Sequence, residues 1–253
     1  MNQQKPTAAK SAQPIIRARG LSKFYGSFAA SRDVTFQINR GEVVAFLGPN
    51  GAGKSTTMKL LTGYLAPSEG TAHIAGYDMM TDRLQGSRLL GYLPENGPLY
   101  PDMTPLGVLH FFGQARGMPR QEREARIGAV VELCDLSTVL NKPISKLSKG
   151  FRQRVGMAQA LLHEPEVLIL DQRTAGLDHN HISEVLETHR RLGEEKTILL
   201  STHIMQEVGA MAQRAILINQ GRVVFDGSID ELTADGKTLD EHFRELTNPV
   251  AVS

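Results

Sequence analysis

Apolar positions along the chain follow two spacings, and together they predict a layered α/β domain. Residues 43–47 form a short apolar run bounded by glycines, which predicts a buried strand. Residues 57–62 predict a helix that ends at Gly63. Residues 33–38 alternate between apolar and polar side chains, which indicates a half-buried strand.

Further short runs predict more strands of the same domain. They lie at residues 15–18, 71–76, 166–171 and 197–201, with a predicted hairpin at 215–225. Residues 21–26 predict a loop that carries Tyr25, and residues 183–192 predict a helix. Repeated strand–helix units of this kind favour a mostly parallel sheet with right-handed crossovers.

A middle segment of the chain, residues 88–163, changes to helical spacing. Leu109, Phe112 and Ala115 recur at this spacing, and so do Ile127, Val130 and Cys134. Ser148 is placed to cap a third helix. We therefore predict a helical insertion between strands of the sheet.

A glycine-rich motif joins the strand at 43–47 to the helix that follows it. The motif is Gly48-Pro49-Asn50-Gly51-Ala52-Gly53-Lys54-Ser55-Thr56, which matches the phosphate-loop pattern G-x-x-x-x-G-K-[ST]. Successive backbone N–H groups and the helix N-terminus suit a triphosphate. Lys54 would reach the β- and γ-phosphates, and Ser55 would hold Mg²⁺. The motif predicts nucleoside triphosphate binding.

Composition narrows the class of protein. The 253 residues carry a formal net charge of +1, so no overall field favours nucleic acid or an anionic membrane. The single cysteine, Cys134, excludes an internal disulfide and is predicted to be a core residue. No run suits a membrane span, and residues 1–13 lack the apolar region of a secretory signal. We expect a cytoplasmic protein that reaches a membrane only through a partner.

A family resemblance joins the phosphate loop to motifs elsewhere in the chain. Asp171 ends an apolar strand downstream of the loop, where it would share the Mg²⁺ with Ser55. Over nearly all of residues 14–247 the chain resembles the ATP-binding subunit of an ABC transporter. Its motif residues are similar to those of the ABC-2-type exporter branch, which includes gliding-motility and copper-processing relatives. The matching pieces occur in the family's order: Tyr25, the phosphate loop, Tyr92-Leu93-Pro94-Glu95, Leu147-Ser148-Lys149-Gly150, Leu170-Asp171, Gly176-Leu177-Asp178 and Ser201-Thr202-His203.

The resemblance implies a fold and a domain organisation. The fold is an ABC-type phosphate-loop ATPase core, with a mostly parallel sheet, an antiparallel β subdomain and the inserted helical subdomain at about 88–163. Residues 14–235 are then the ATP-binding domain, between a flexible tail at 1–13 and a C-terminal tail at 236–253.

The resemblance also implies roles for the remaining motif residues. Tyr25 would stack on adenine, although periodicity alone favours a core or hairpin residue there. Subunits of the family pair head to tail around two ATP molecules, so Ser148 and Gly150 would meet the nucleotide of the partner subunit. His203 would contact the γ-phosphate rather than serve only a structural purpose. Glu95 would be a catalytic residue and a third metal ligand beside Ser55 and Asp171. It would also act as the switch between the metal and an integral membrane permease of the ABC-2 type.

Departures from the family pattern cluster just after Asp171. Gln172 stands where the family has a Glu that activates the attacking water, and a neutral amide orients a water without taking its proton. Losing a general base costs about 10²–10⁴ in rate. Arg173 and His179 replace two prolines. His179 and His181 also allow a metal site, but without an evident carboxylate partner a surface position is favoured.

Three classes of function remain open from the sequence. The first is an ATP-driven export subunit with weakened hydrolysis. The second is an ATP-binding regulator, or the silent half of a heterodimer, with little turnover. The third is a permease-free ABC protein of DNA repair or translation, which the lack of a coiled-coil insertion or a tandem cassette disfavours.

Overall fold

The computed structural model describes residues 14–95, 97, 99–171, 192–193, 195–202, 208–209, 212–233 and 236–247. Strands in these ranges are β1 (Pro14–Tyr25), β2 (Phe28–Asn39), β3 (Val43–Leu47), β4 (Glu69–Ile74), β5 (Tyr77–Asp78), β6 (Leu90–Leu93), β7 (Val167–Asp171), β8 (Thr197–Thr202), β9 (Arg214–Asn219) and β10 (Arg222–Ser228). Helices are α1 (Lys54–Leu61), α2 (Arg83–Arg88), α3 (Pro105–Ala115), α4 (Arg120–Leu133), α5 (Lys149–Leu161), α6 (Ile229–Thr233) and α7 (Leu239–Thr247), with a 3₁₀ turn at Ile144–Lys146.

The central sheet has the strand order β10-β9-β3-β8-β7-β6 in the described ranges. Its strands pair in parallel from β9 to β6, and β10 joins β9 antiparallel as a hairpin. Every residue of β3 and β7 is buried, because a parallel sheet is covered on both faces. The mostly parallel α/β core and its C-terminal hairpin were both predicted, and both are confirmed.

A second sheet, ordered β2-β1-β4-β5, is antiparallel throughout the part of the chain that the structure describes. The loop predicted at residues 21–26 is wrong, because β1 continues to Tyr25 and pairs with β2. Several register shifts along β1 break its alternation of apolar and polar residues. This irregularity explains why the sequence pattern concealed the strand's length.

The predicted helical insertion forms a layer of α3, α4 and α5 on one face of the central sheet. The Thr104 hydroxyl caps α3 and the Ser148 hydroxyl caps α5, as predicted for Ser148. Cys134 is buried in this layer, as predicted, and burial raises the pKa of its thiol to about 12. The expected range of 88–163 begins too early, since β6 lies inside it and belongs to the central sheet.

The C-terminal segment differs from the expected tail. From Leu239 the chain forms α7, whose Leu239, Phe243 and Leu246 pack against a cluster that includes Leu217 of β9. The Thr238 hydroxyl accepts from the Glu241 N–H while Glu241 accepts from the Thr238 N–H, which fixes the start of the helix. Residues 236–247 therefore belong to the folded domain. Among the described helices, none combines the length and apolarity needed to cross a membrane.

Candidate functional site

The phosphate loop joins the buried strand β3 to the N-terminus of α1. Its conformation requires glycine at two close approaches. A Cβ on Gly48 would lie 2.4 Å from the Ile218 carbonyl oxygen, and one on Gly53 would lie 2.4 Å from the Ala30 carbonyl oxygen. Gly53 also has a φ of 102°. The loop is thus packed tightly between the central sheet and β2, and these contacts restrict its backbone conformation.

Lys54 is the first residue of α1, and its side chain folds over its own loop. The ammonium donates to the carbonyl oxygens of Gly48 at 2.7 Å and Pro49 at 3.0 Å. This position places a positive charge at the loop where a phosphate group would bind.

Ser55 and Asp171 bring two distant parts of the chain together. The Ser55 hydroxyl donates to Asp171 Oδ1 at 3.2 Å. Burial raises the pKa of Asp171, hydrogen bonds from Ser201 and Ser55 lower it, the Glu95 charge raises it, and the Lys54 charge lowers it. This carboxyl end of β7 therefore carries a desolvated acidic group that a cation would stabilise.

These groups face a cavity of about 360 Å³ that has the dimensions of a small-molecule site. The residues that line it come from β2, the phosphate loop and the start of α1, the segment after β6, and the ends of β7 and β8: Phe28, Ala30, Asn50, Gly51, Gly53, Lys54, Ser55, Thr56, Glu95, Asp171 and Ser201. The structure therefore unites the predicted residues Lys54, Ser55, Glu95 and Asp171 in one cleft.

A magnesium–nucleotide complex suits the groups that line the cleft. Mg²⁺ prefers hard oxygen ligands, uses one or two carboxylates, and completes its shell with water and phosphate oxygens. The Ser55 hydroxyl and the Asp171 carboxylate supply oxygens of this kind side by side. The described residues contain no group of three or more His, Cys, Asp or Glu side chains that could hold a metal ion by itself. A magnesium ion bound together with a nucleotide does not require such a group.

Aromatic side chains at the β1–β2 turn include a residue that sequence reasoning missed. Tyr25 ends β1 in register with Phe28, and their side chains are 54% and 62% exposed. Phe28 lines the cleft, whereas the lining set among the described residues does not include Tyr25. The signal for Phe28 is its position directly across a two-residue turn from Tyr25.

The other predicted site residues lie elsewhere or outside the described ranges. Ser148 is exposed at the start of α5, Gly150 is buried, and neither belongs to the described lining of the cleft. Gln172 and His203 lie outside the described residues, as do the neighbouring motif positions Arg173, Gly176, Leu177, Asp178, His179 and His181.

The turn between β9 and β10 braces the phosphate loop from behind. The Gly221 N–H donates to the Ala52 carbonyl oxygen at 2.9 Å, and the Gly221 carbonyl oxygen accepts from the Arg32 N–H at 2.8 Å. One residue thus ties the loop to β2 and to the central sheet.

Similarity to known proteins agrees with this geometry. The family model described as "ABC transporter" matches residues 31–175. The ABC transporter ATP-binding protein NatA of Bacillus subtilis (strain 168) is 36% identical over 219 residues, which cover 85% of this chain and 88% of NatA.

Two solved structures share the fold. The "Structure of ATP binding subunit of ABC transporter" has a TM-score of 0.83 and 33% identity, and the match covers 92% of this chain and all of that one (100%). The "Dimeric Structure of MJ0796, a Bacterial ABC Transporter Cassette" has a TM-score of 0.76 and 25% identity, with 85% and 98% of the two chains covered. The chain belongs to the ABC transporter family, as one of its ATP-binding cassettes.

Proposed function

We propose that this chain is the ATP-binding subunit of an ABC-2-type exporter, and that it works on the cytoplasmic face of a membrane through a separate permease. The observation that carries the proposal is the cleft in which Lys54, Ser55 and Asp171 converge beneath the phosphate loop. Membership of the family implies ATP hydrolysis. The direction of transport and the ABC-2 branch are inferred from the motif residues alone.

Different residues of the cleft bind different parts of Mg–ATP. The loop N–H groups and Lys54 hold the phosphates, and Ser55 with Asp171 holds the metal ion. Bound Mg²⁺ would offset the negative charge of the β- and γ-phosphates. The aromatic pair Tyr25 and Phe28 supplies ring faces for the adenine base.

A second subunit completes the site. Ser148 is exposed at the N-terminus of α5, where backbone N–H groups and a hydroxyl are available to a phosphate. Since Ser148 does not belong to the described lining of its own cleft, we assign it and Gly150 to the nucleotide of the partner. The dimeric state of the related cassette supports this arrangement.

A permease would contact the loop and helix that follow Glu95. Tyr100 and Phe111 are 47% and 44% exposed, and their ring centroids lie 5.8 Å apart in an edge-to-face arrangement. Exposed aromatic pairs are typical anchors of protein interfaces. Phe112 and Leu99 are partly buried and pack against the helical layer.

A second candidate function rests on Gln172. With Gln in place of the usual Glu, Gln172 would orient the attacking water without removing its proton. His203 would contact the γ-phosphate. Slow turnover then follows for an exporter subunit, and near-silent turnover follows for a regulatory half of a heterodimer.

The association state with ATP tests the proposed function. Sedimentation with saturating Mg–ATP is expected to give a dimer, and sedimentation with Mg–ADP a monomer. Ser148→Arg should bind ATP normally but remain monomeric, because the change blocks only the surface offered to the partner. A wild-type protein that binds Mg–ATP and stays monomeric would contradict the two-subunit site, and a protein without Mg–ATP binding would contradict the function itself.

A further inference from the structure

A second cavity of about 340 Å³ adjoins the nucleotide cleft. Ser55, Glu95 and Asp171 line both cavities. Tyr64 and Tyr92 line only the second one among the described residues. Side chains of the second cavity therefore lie behind the two residues to which we assign the metal ion.

The register of the central sheet places Tyr92 beside Asp171. Tyr92 of β6 pairs with Ile169 of β7, and Asp171 follows two residues after Ile169. Alternate residues of a strand share a face, so Tyr92 and Asp171 lie on the same face as diagonal neighbours. Neighbouring strands lie about 5 Å apart and two residues of a parallel strand span about 6.6 Å, so the two Cα atoms are about 8 Å apart, a distance that an aromatic side chain can bridge.

The Tyr92 phenol is a protonated donor in this position. Burial, and after it the charge of Asp171, raises the pKa of Tyr92 far above its ordinary value. Its hydroxyl oxygen is buried and has no hydrogen-bond partner in the part of the chain that the structure describes. Buried polar groups are almost always paired, so this hydroxyl is a donor available to the neighbouring carboxylate.

We propose that Tyr92 is a positioning residue, whose hydroxyl donates to the Asp171 carboxylate when Mg–ATP is bound. In the structure Asp171 Oδ1 accepts from Ser55, and Ser201 is a second hydrogen-bond donor to this carboxylate. When Ser55 and Asp171 both serve as metal ligands, a donor on the cavity side fixes the orientation of the carboxylate. Partners of this kind are typically worth about 10–100-fold in metal affinity. The inference rests on the Mg–ATP site of the proposed function.

The decisive variant is Tyr92→Phe, which removes the hydroxyl and keeps the ring. Binding of a fluorescent ATP analogue is titrated with Mg²⁺, and the Mg²⁺ midpoint should rise about tenfold or more. The melting temperature of the ligand-free protein and nucleotide binding without metal should not fall, because the hydroxyl is unpaired there. Tyr64→Phe is the matched control, since Tyr64 lines the same cavity but is 71% exposed.

Each outcome of this titration decides the inference. A Mg²⁺ midpoint that rises by clearly less than tenfold in Tyr92→Phe overturns it, and so does an equal shift in Tyr64→Phe. A lower melting temperature, accompanied by weaker nucleotide binding in the absence of metal, would show that the hydroxyl has a structural role. This result also overturns the inference. If Mg²⁺ does not change nucleotide binding by the wild-type protein, the proposed metal site itself is refuted. This outcome distinguishes a failure of the metal site from a failure of the role proposed for Tyr92.

A second measurement does not depend on the stability of a variant. 3-Fluorotyrosine at position 92 reports on the phenol through its ¹⁹F resonance. The resonance should move when Mg²⁺ is added to the ATP-bound protein, and the same label at position 64 should move much less. An unchanged resonance at position 92 would overturn the inference.

Discussion

The Lys54 ammonium donates a hydrogen bond to the Gly48 carbonyl oxygen across 2.7 Å, so both ends of the phosphate loop are joined by a single side chain. The cation is held at the loop by acceptors that belong to the loop itself. A phosphate that enters the cleft therefore meets a charge that is already in place, and little side-chain entropy is lost in recruiting it.

Replacing this cation should weaken ATP binding far more than it weakens the fold. Lys54→Ala is expected to lower ATP affinity about 10- to 100-fold, because hydrogen bonds to charged groups contribute about 1.5–3 kcal/mol. Titration with fluorescent ATP measures the loss. Lys59→Ala, an exposed lysine on the same helix, should bind ATP like the wild type. Unchanged affinity in folded Lys54→Ala would remove the lysine from the phosphate site.

Two glycines of the loop should differ in their tolerance of a methyl group. Gly51 and Gly53 both have positive φ, but only Gly53 would direct its Cβ at the Ala30 carbonyl oxygen. Gly51→Ala should cost about 1–2 kcal/mol of strain. Gly53→Ala should cost clearly more and should abolish ATP binding. Urea unfolding of the two variants measures the loss of unfolding free energy. Equal losses would contradict the close contact of Gly53 with Ala30 of β2.

Local patterns in the sequence predicted the phosphate loop and the core strands correctly. The glycines and lysine of the loop are contiguous, and β3 and β7 are uninterrupted apolar runs, so each signal is contained in one short stretch. The helix α7 was also visible in principle, since Leu239, Phe243 and Leu246 recur at helical spacing. The prediction of a tail at 236–253 overlooked this spacing.

Features that depend on pairing between distant strands could not be predicted. Ser201 and Tyr92 approach Asp171 through the order and register of parallel strands, which no local spacing encodes.

Adjacent phenylalanines on α3 should separate binding from stability. Phe111 is exposed and pairs with Tyr100, whereas Phe112 packs against the helical layer. Phe111→Glu should abolish co-purification with a permease while changing the free energy of unfolding by less than about 1 kcal/mol. Phe112→Ala should instead destabilise the fold by about 2 kcal/mol. Intact co-purification of Phe111→Glu would indicate a different docking face.

Placing an acid at position 172 should accelerate hydrolysis. Gln172→Glu is expected to raise the single-turnover rate by about 10²–10⁴, the usual contribution of a positioned base. The ATP-dependent dimer should also become shorter-lived. The paired change Gln172→Glu with Arg173→Pro should exceed the single one, because proline fixes the backbone after the base.

Quench-flow kinetics on the wild type and both variants provide the test. A wild-type rate that Gln172→Glu fails to improve would show that another group, with His203 the first candidate, activates the water.

Acid should destabilise the protein partly through His163. Burial, with the charges of Arg116, Arg126 and Lys196, lowers the pKa of His163 to about 4, although its contact with the Leu90 carbonyl oxygen acts the other way. The unfolded chain binds a proton near pH 6.5 and the native ring does not, so this part of the stability is present above pH 6.5 and is lost as pH falls toward 4. The slope reaches at most about 1.4 kcal/mol per pH unit.

Urea unfolding of the wild type and His163→Gln from pH 7.5 to 4.5 isolates this contribution. The variant keeps a donor for Leu90 but cannot gain the proton, so its stability should depend less on pH. Parallel curves for the two proteins would assign the acid sensitivity to other groups.

The bracing of the phosphate loop by Gly221 limits where the chain can be lengthened. Surface turns between hairpin strands are ordinarily the places where a domain accepts extra residues. At this turn, a peptide inserted beside Gly221 would displace the N–H bound to Ala52 and the carbonyl oxygen bound to Arg32. The hairpin tip is therefore closed to insertions, fusions and circular permutation, although it lies at the edge of the sheet.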